Sequence, residues 1–382
     1  MFNVKRIHIV LSATVIILGL LAARPVRADQ MDRLLELLVK KHVITEQEAA
    51  SLREEVKEDE APAPSPTLVE KKNGETPKKE QPVTGATKIK LSGWAQTRFT
   101  NGSSATNTFS SLELRRARLA VEGNLTPRAA YKMEIDAVRS PVLLDARLDY
   151  TARPYAKFTV GQFKVPFSQE NLDSDRDIIF IERSQVGLSL VPGRDTGNNG
   201  RDIGAQLAGT VVAGNGRPLF DYAVGLFNGA GINHRDDNRR KDVGARLVFH
   251  PLSGLSLTGD YYNGASGDKE VSRERAAVEF AYVRKLYSLR GEYIWGHDGA
   301  VRKYGWYSQL IYRIKPKWEA LARFDTYDPK RHAGKDVTNT YLFGVNWYLS
   351  NWIKLQANYG LVDEEARTNL TNLFLSQVQF QF

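Results

Sequence analysis

The sequence predicts an all-β chain, a sixteen-stranded antiparallel transmembrane β-barrel preceded by a short helical hairpin. Three observations lead there. From residue 87 onward apolar and polar residues alternate with period two, the alternating segments number sixteen, and the links between them are by turns long and tight. The last eleven residues, NLFLSQVQFQF, show the pattern. Phe374, Val378, Phe380 and Phe382 fall on one side of an extended strand and Gln377, Gln379 and Gln381 on the other. An oily face backed by a glutamine face calls for two different solvents.

The N-terminus comes first in the chain. Lys5 and Arg6 precede an apolar stretch from Ile7 to Ala23, and Val26-Arg27-Ala28 offers a small-residue cleavage site, so residues 1–28 read as an export signal. The competing reading is an uncleaved anchor, because the apolar stretch approaches the ~20 residues of a spanning helix. No other segment does, so a mature chain that enters a membrane does so with strands. Residues 29–58 read as a helical hairpin or short coiled coil: Leu34, Leu35, Leu37, Leu38 and Val39 crowd one segment, and Thr45-Glu46-Gln47-Glu48 forms a capping box before the second. Residues 59–86 hold five prolines among Glu, Lys, Thr and Gly and read as a disordered linker.

The barrel is expected over 87–382. Outward sets include Ile89-Leu91, Tyr131-Met133-Ile135, Leu144-Leu148-Tyr150, Val278-Phe280-Tyr282 and Ile353-Leu355-Tyr359. Their alternate partners are polar, as in Lys132-Glu134-Asp136 and Asp145-Arg147-Asp149. A soluble sandwich also alternates, but the links discriminate. Those at 101–110, 164–199, 229–240, 264–272, 297–302, 329–337 and 363–370 are long, with 139–141 the short exception. The links between them are tight, such as Thr126-Pro127-Arg128, Pro154-Tyr155 and Pro316. Trp295, Trp306, Trp318, Trp347 and Trp352 lie near strand ends, where an interfacial girdle would place them.

Composition excludes several chemistries. The 382 residues contain no cysteine, which rules out disulfides, thiolate metal sites and thiol nucleophiles. The six histidines show no metal-ligand spacing, and there is no nucleophile-elbow serine or phosphate-binding Gly-Lys loop. No catalysis, cofactor, metal or nucleic-acid partner is therefore expected. The net charge of +9 belongs to residues 87–382, which carry 40 basic and 31 acidic residues. A basic lumen or rim attracts anions.

Several segments resemble the phosphate-selective porin O and P family, in that family's usual order: the helical hairpin with its Pro-rich linker, LELRRARLAVEGNL (112–125), VGQFKVPFSQE (160–170), FIERSQVGLSLVPGRDTG (180–197), YAVGLFNGAG (222–231) and the final aromatic. The resemblance implies a trimeric sixteen-stranded barrel in the outer membrane of a Gram-negative bacterium, with the third loop, 164–199, folded into the lumen. It also maps paired arginines of a pore constriction onto Arg115 and Arg116.

The residues themselves add detail. With Leu119 and Val121 outward, Arg116 and Arg118 point into the lumen. Leu112 and Leu114 have the opposite phase, which predicts a bulge near Arg115. Arginine suits an anion site because its planar fork donates two parallel hydrogen bonds and stays charged. Candidate constriction or anion-binding residues are thus Arg115, Arg116, Arg118, Lys164 and Arg183. The alternative, that these arginines pair with lumen acids such as Glu122, Glu134 or Asp136 and brace the wall, stays open, since 164–199 alone carries six acids against four bases. Basic loop residues such as Arg235, Arg239, Arg240 and Lys241 are candidates for lipopolysaccharide phosphates. The functional expectation is passive diffusion of small hydrophilic solutes with an anion preference, phosphate leading. A weakly selective porin with an envelope-tethering role is the alternative.

Overall fold

The computed structural model describes residues 89–382 except 104–107, 140–141, 215, 332–333, 335 and 366–369. The signal, helical hairpin and linker expected over 1–86 lie outside the described residues.

Sixteen strands follow one another around a closed antiparallel barrel. They are β1 (Ile89–Ser103), β2 (Thr108–Asn124), β3 (Ala129–Asp136), β4 (Leu143–Arg153), β5 (Ala156–Lys164), β6 (Arg201–Val212), β7 (Pro218–Phe227), β8 (Asp242–Leu252), β9 (Leu255–Ser266), β10 (Val271–Val283), β11 (Tyr287–Asp298), β12 (Val301–Lys315), β13 (Trp318–Asp328), β14 (Thr338–Tyr348), β15 (Ile353–Glu364) and β16 (Thr371–Gln381). Two short helices, α1 (Gln169–Leu172) and α2 (Gln185–Leu190), lie in the segment between β5 and β6.

Closure runs through β1 and β16, paired from Trp94↔Gln381 to Ser103↔Asn372. The terminal Phe382 completes the seam. Its N–H donates to the Gly93 carbonyl at 2.9 Å, and the Gly93 N–H returns to its carbonyl at 3.1 Å. With the seam shut, no sheet edge is left unpaired.

The predicted faces are those observed, with Met133, Leu148, Val278 and Phe380 exposed on the outer surface and Gln377 and Gln379 buried inside. One residue departs. Leu144 is fully buried rather than on the outer face, because the β3–β4 register shifts between Glu134 and Ile135 and leaves Leu144 as the extra residue of a bulge. Asp145 keeps its inward position opposite Glu134.

Three links expected to be long are short. β1 and β2 stay paired out to Ser103↔Thr108, which leaves four residues of 101–110 between them. β9 and β10 run on to a turn at Gly267–Glu270, and β11 and β12 to Gly299-Ala300, so 264–272 and 297–302 are largely hairpin rather than loop. Ladder hydrogen bonds continue there to Val271↔Ser266 and Asp298↔Val301, satisfying backbone groups that an open loop would leave to water. The aromatic residues sit at both rims: Trp295, Trp306 and Trp352 are exposed. Trp318 and Trp347 face each other across β13 and β14 and stack at 4.8 Å.

Placing a charge on the oily face should be costly. Val278→Arg, on the outer side of β10, is expected to lower unfolding free energy in phospholipid vesicles by about 2–4 kcal/mol. Lys157→Gln, on the inner side of β5, should change it by less than about 1 kcal/mol in the same equilibrium denaturant titration.

Candidate functional site: the charged lumen

The LRRAR motif sits where β2 leaves regular pairing. Arg116 pairs with Gln96 and Leu114 with Thr97, so Arg115 is the extra residue of a bulge. A bulge repeats one face for a single step. Arg115 and Arg116 consequently both reach inward, while Leu112 and Leu114 stay exposed outside.

What they meet is the β5–β6 segment, residues 165–200, whose side chains and backbone bond to the inner faces of strands on several sides. Asp175, 1% exposed, is the centre of the contact with β2. Its carboxylate lies 2.6 Å from Arg118 and 2.6 Å from Arg183, with Arg116 at 3.9 Å and Arg194 at 4.0 Å. Burial alone would push the Asp175 carboxyl up, but Arg118, Arg183 and Arg116 outweigh it and hold it well below the usual carboxylate range. Arg118 also reaches Glu134 at 3.2 Å and Asp136 at 3.1 Å, and lies over the Trp94 ring at 5.1 Å. Lys164 donates to the Leu172 and Asp173 carbonyls.

The candidates therefore divide. Arg116, Arg118 and Arg183 come together around one carboxylate and are nearly closed to water. Lys164 lies beside them holding backbone. Arg115 stands apart with Glu182, which also pairs with Arg98, and is part-exposed.

Elsewhere the segment is held by the opposite chemistry. Ser168 adopts φ 64°, a conformation costly for a residue with a Cβ. In that pose three successive backbone N–H groups at the start of α1 are aimed at wall carboxylates: Ser168 to Asp260, Gln169 to Glu279 and Glu170 to Glu292. Helix-start N–H groups have no intrahelical acceptor, so carboxylates satisfy both them and the local dipole. Further along, Asn346 and Gln356 donate to the Ile179 carbonyl, and the Ile181 N–H donates to Asn358.

Apolar contacts reinforce these. Val165, Phe167, Val186, Leu190 and Val191 pack against inward-facing Phe227, Tyr262, Ala277, Ile294 and Tyr307. Phe180 packs with Ile311, Leu321 and Leu342.

Some inward cations still face water. Lys132 on β3 and Arg147 on β4 stand directly opposite, and Lys157 follows on β5, with side chains 22%, 30% and 41% exposed. Like charges in register cost sheet stability. Their acid partners at 2.9 Å (Lys132–Glu134), 3.3 Å (Arg147–Asp149) and 3.4 Å (Lys157–Asp149) offset part of it. None of Lys132, Arg147 and Lys157 was among the site candidates, although strand phase alone puts all three inside. Among the described residues no group of three or more His, Asp and Glu is arranged to hold a metal ion.

A closed sixteen-stranded barrel, oily outside, charged inside and crossed by an inward segment, defines an outer-membrane porin. Solved structures with this fold include an anion-selective porin from Comamonas acidovorans, 14% identical over 78% of this chain and all of that one, TM-score 0.60. Others are OmpF of Salmonella typhi in complex with daunomycin, 13% identical over 78% of this chain and 98% of that one, TM-score 0.60, and OmpT of Vibrio cholerae, 11% over 78% and 99%, TM-score 0.58. No curated protein matches the sequence. The family model for phosphate-selective porin O and P matches residues 89–264 and 256–382. The chain belongs to that family and to the outer membrane of a Gram-negative bacterium.

Arg118→Ala should expose the cost of the buried cluster. It removes the cation paired with buried Asp136 and one cation each from Glu134 and Asp175, and is expected to lose about 3–5 kcal/mol in equilibrium unfolding. The water-facing Arg147→Ala should lose less than about 1 kcal/mol in the same measurement.

Proposed function

We propose that this porin is a passive channel for small hydrophilic solutes that prefers anions, with phosphate the leading specific solute. The observation that carries the reading is the row of water-facing cations on the inner wall of β3, β4 and β5: Lys132, Arg147 and Lys157. Their pairs are part-solvated, so an entering anion competes with the resident carboxylates at little cost. A charge row along a low-dielectric wall also raises the local anion concentration. Arg115 adds a planar donor where Glu182 holds it only at 3.2 Å.

The reading moves the selective charge away from the three enclosed arginines. Arg116, Arg118 and Arg183 serve the wall and the inward segment. The porin is further proposed to be a homotrimer. One similar structure, the in-vitro folded OmpT of Vibrio cholerae, is a trimer form. The basic loop residues Arg235, Arg239 and Arg240 of the present chain are proposed to face lipopolysaccharide phosphates, and its residues 29–58 to act in the periplasm.

Planar bilayers under a KCl gradient test the anion preference. The wild-type reversal potential is expected on the anion-selective side, and Lys132→Gln, Arg147→Gln and Lys157→Gln combined should bring it toward zero. A triple variant with unchanged selectivity would contradict the assignment. Phosphate titrated into the chloride current reads out the specific solute: block at concentrations well below chloride supports phosphate, and none leaves a general porin.

A further inference from the structure

The convergence of arginines on Asp175 is out of proportion to one carboxylate. Four guanidinium groups lie within 4.0 Å of it: Arg116, Arg118, Arg183 and Arg194. Among the described residues only Arg118 of these four has other acids in contact, Glu134 and Asp136. Arg116 turns its second contact to the Gln96 amide oxygen and Arg194 to that of Asn171, both neutral. The cluster therefore keeps an excess of positive charge out of water.

Donors are left over as well. Among the described residues Arg116 Nε, Arg118 Nη2, Arg183 Nη1 and Arg194 Nη2 are buried with no hydrogen-bond partner, and so is Asp175 Oδ2 in their midst. The mismatch is one of direction: the two oxygens of Asp175 lie in one plane, Oδ1 takes the hydrogen bonds of Arg183, and Oδ2 aligns with none of the forks arriving around it. A tetrahedral oxyanion can. An unpartnered buried N–H of a charged group is expensive, so its retention around one carboxylate points to a place shaped for an anion.

We propose that Asp175 is a built-in ligand: its carboxylate occupies, from within the chain, an oxyanion site made by Arg116, Arg118, Arg183 and Arg194. This deepens the reading of the lumen as an anion path and rests on it. Because the segment that carries Asp175 is tied down by the Ser168–Glu170 backbone, the carboxylate is present at high effective concentration and free anions do not displace it. Permeating anions then pass the cluster without lodging. The carboxyl stays ionised, held well below its ordinary range by the same arginines, so the occupant does not leave by protonation near neutral pH. Phosphate and small carboxylates are the chemical class the emptied site would take.

The test removes the occupant and offers a free one. Asp175→Ala, refolded in full-length protein, is compared with wild type for thermal unfolding midpoint and for chloride current in a planar bilayer, with sodium formate or inorganic phosphate added. The wild-type unfolding midpoint should respond weakly to both. The variant should melt lower, regain its midpoint with either anion, and show current block at phosphate concentrations about tenfold or more below any seen in wild type, a full decade in affinity. A variant that folds and responds to both anions as wild type does overturns the proposal. If the variant refolds only when formate or phosphate is present, the proposal stands, and if neither rescues it, the proposal falls. The wild-type reversal potential separates the two readings. Absent anion selectivity would remove the channel assignment while anion binding by the variant would still stand.

Discussion

Every backbone N–H and C=O that crosses the bilayer has to find its partner within the sheet, and that single requirement organises this molecule. It forces β1 onto β16 and puts the last residue, Phe382, into the seam against Gly93. Once the sheet is closed, side chains can only alternate between lipid and lumen. The oily positions face out, and the charge of a basic domain is driven inward and to the rims.

An interior lined with charges creates its own difficulty, because side chains removed from water must be paired or they destabilise the wall. The β5–β6 segment answers it from both signs. Asp175 supplies an anion to the arginines of β2, and the N–H groups that open α1 supply donors to the carboxylates Asp260, Glu279 and Glu292. Buried ion pairs of this kind add little net stability over apolar packing. Their effect is positional: they fix where the segment runs, and the apolar contacts of Phe167, Leu190 and Phe180 with Ile294 and Leu342 supply the burial that holds it.

Much of this is written locally, and some is not. The period-two pattern carries the strand number and faces because it reports only on one strand and its solvent. The phase slip between Leu114 and Leu119 locates the bulge at Arg115 for the same reason. Leu144 misled because a bulge in β4 displaces it without changing the surrounding alternation. The links at 101–110, 264–272 and 297–302 misled because hairpins extend past the lipid, where polarity no longer marks a strand's end. Asp175 is one of six acids in its segment, and nothing nearby distinguishes it. Its partners on β2 come from a distant part of the chain. A signal for the inward anchor was present all the same: Ile294, Ile311, Leu321 and Leu342 are apolar on the polar phase of their strands. An apolar residue facing a lumen calls for something to cover it.

The functional consequence is a division of labour among cations of one lumen. Those around Asp175 hold structure, and those on β3, β4 and β5 are the ones proposed to meet solute. The measurement that tests this most directly is arginine and lysine modification of the native, refolded barrel, with phenylglyoxal for arginine and an acylating reagent for lysine, mapped by mass spectrometry. The absence of cysteine leaves no competing thiol. Rapid modification of Arg147, Lys132 and Lys157 with protection of Arg116, Arg118 and Arg183 is the predicted result. Comparable rates at both sets would contradict it and return the buried arginines to the solute path.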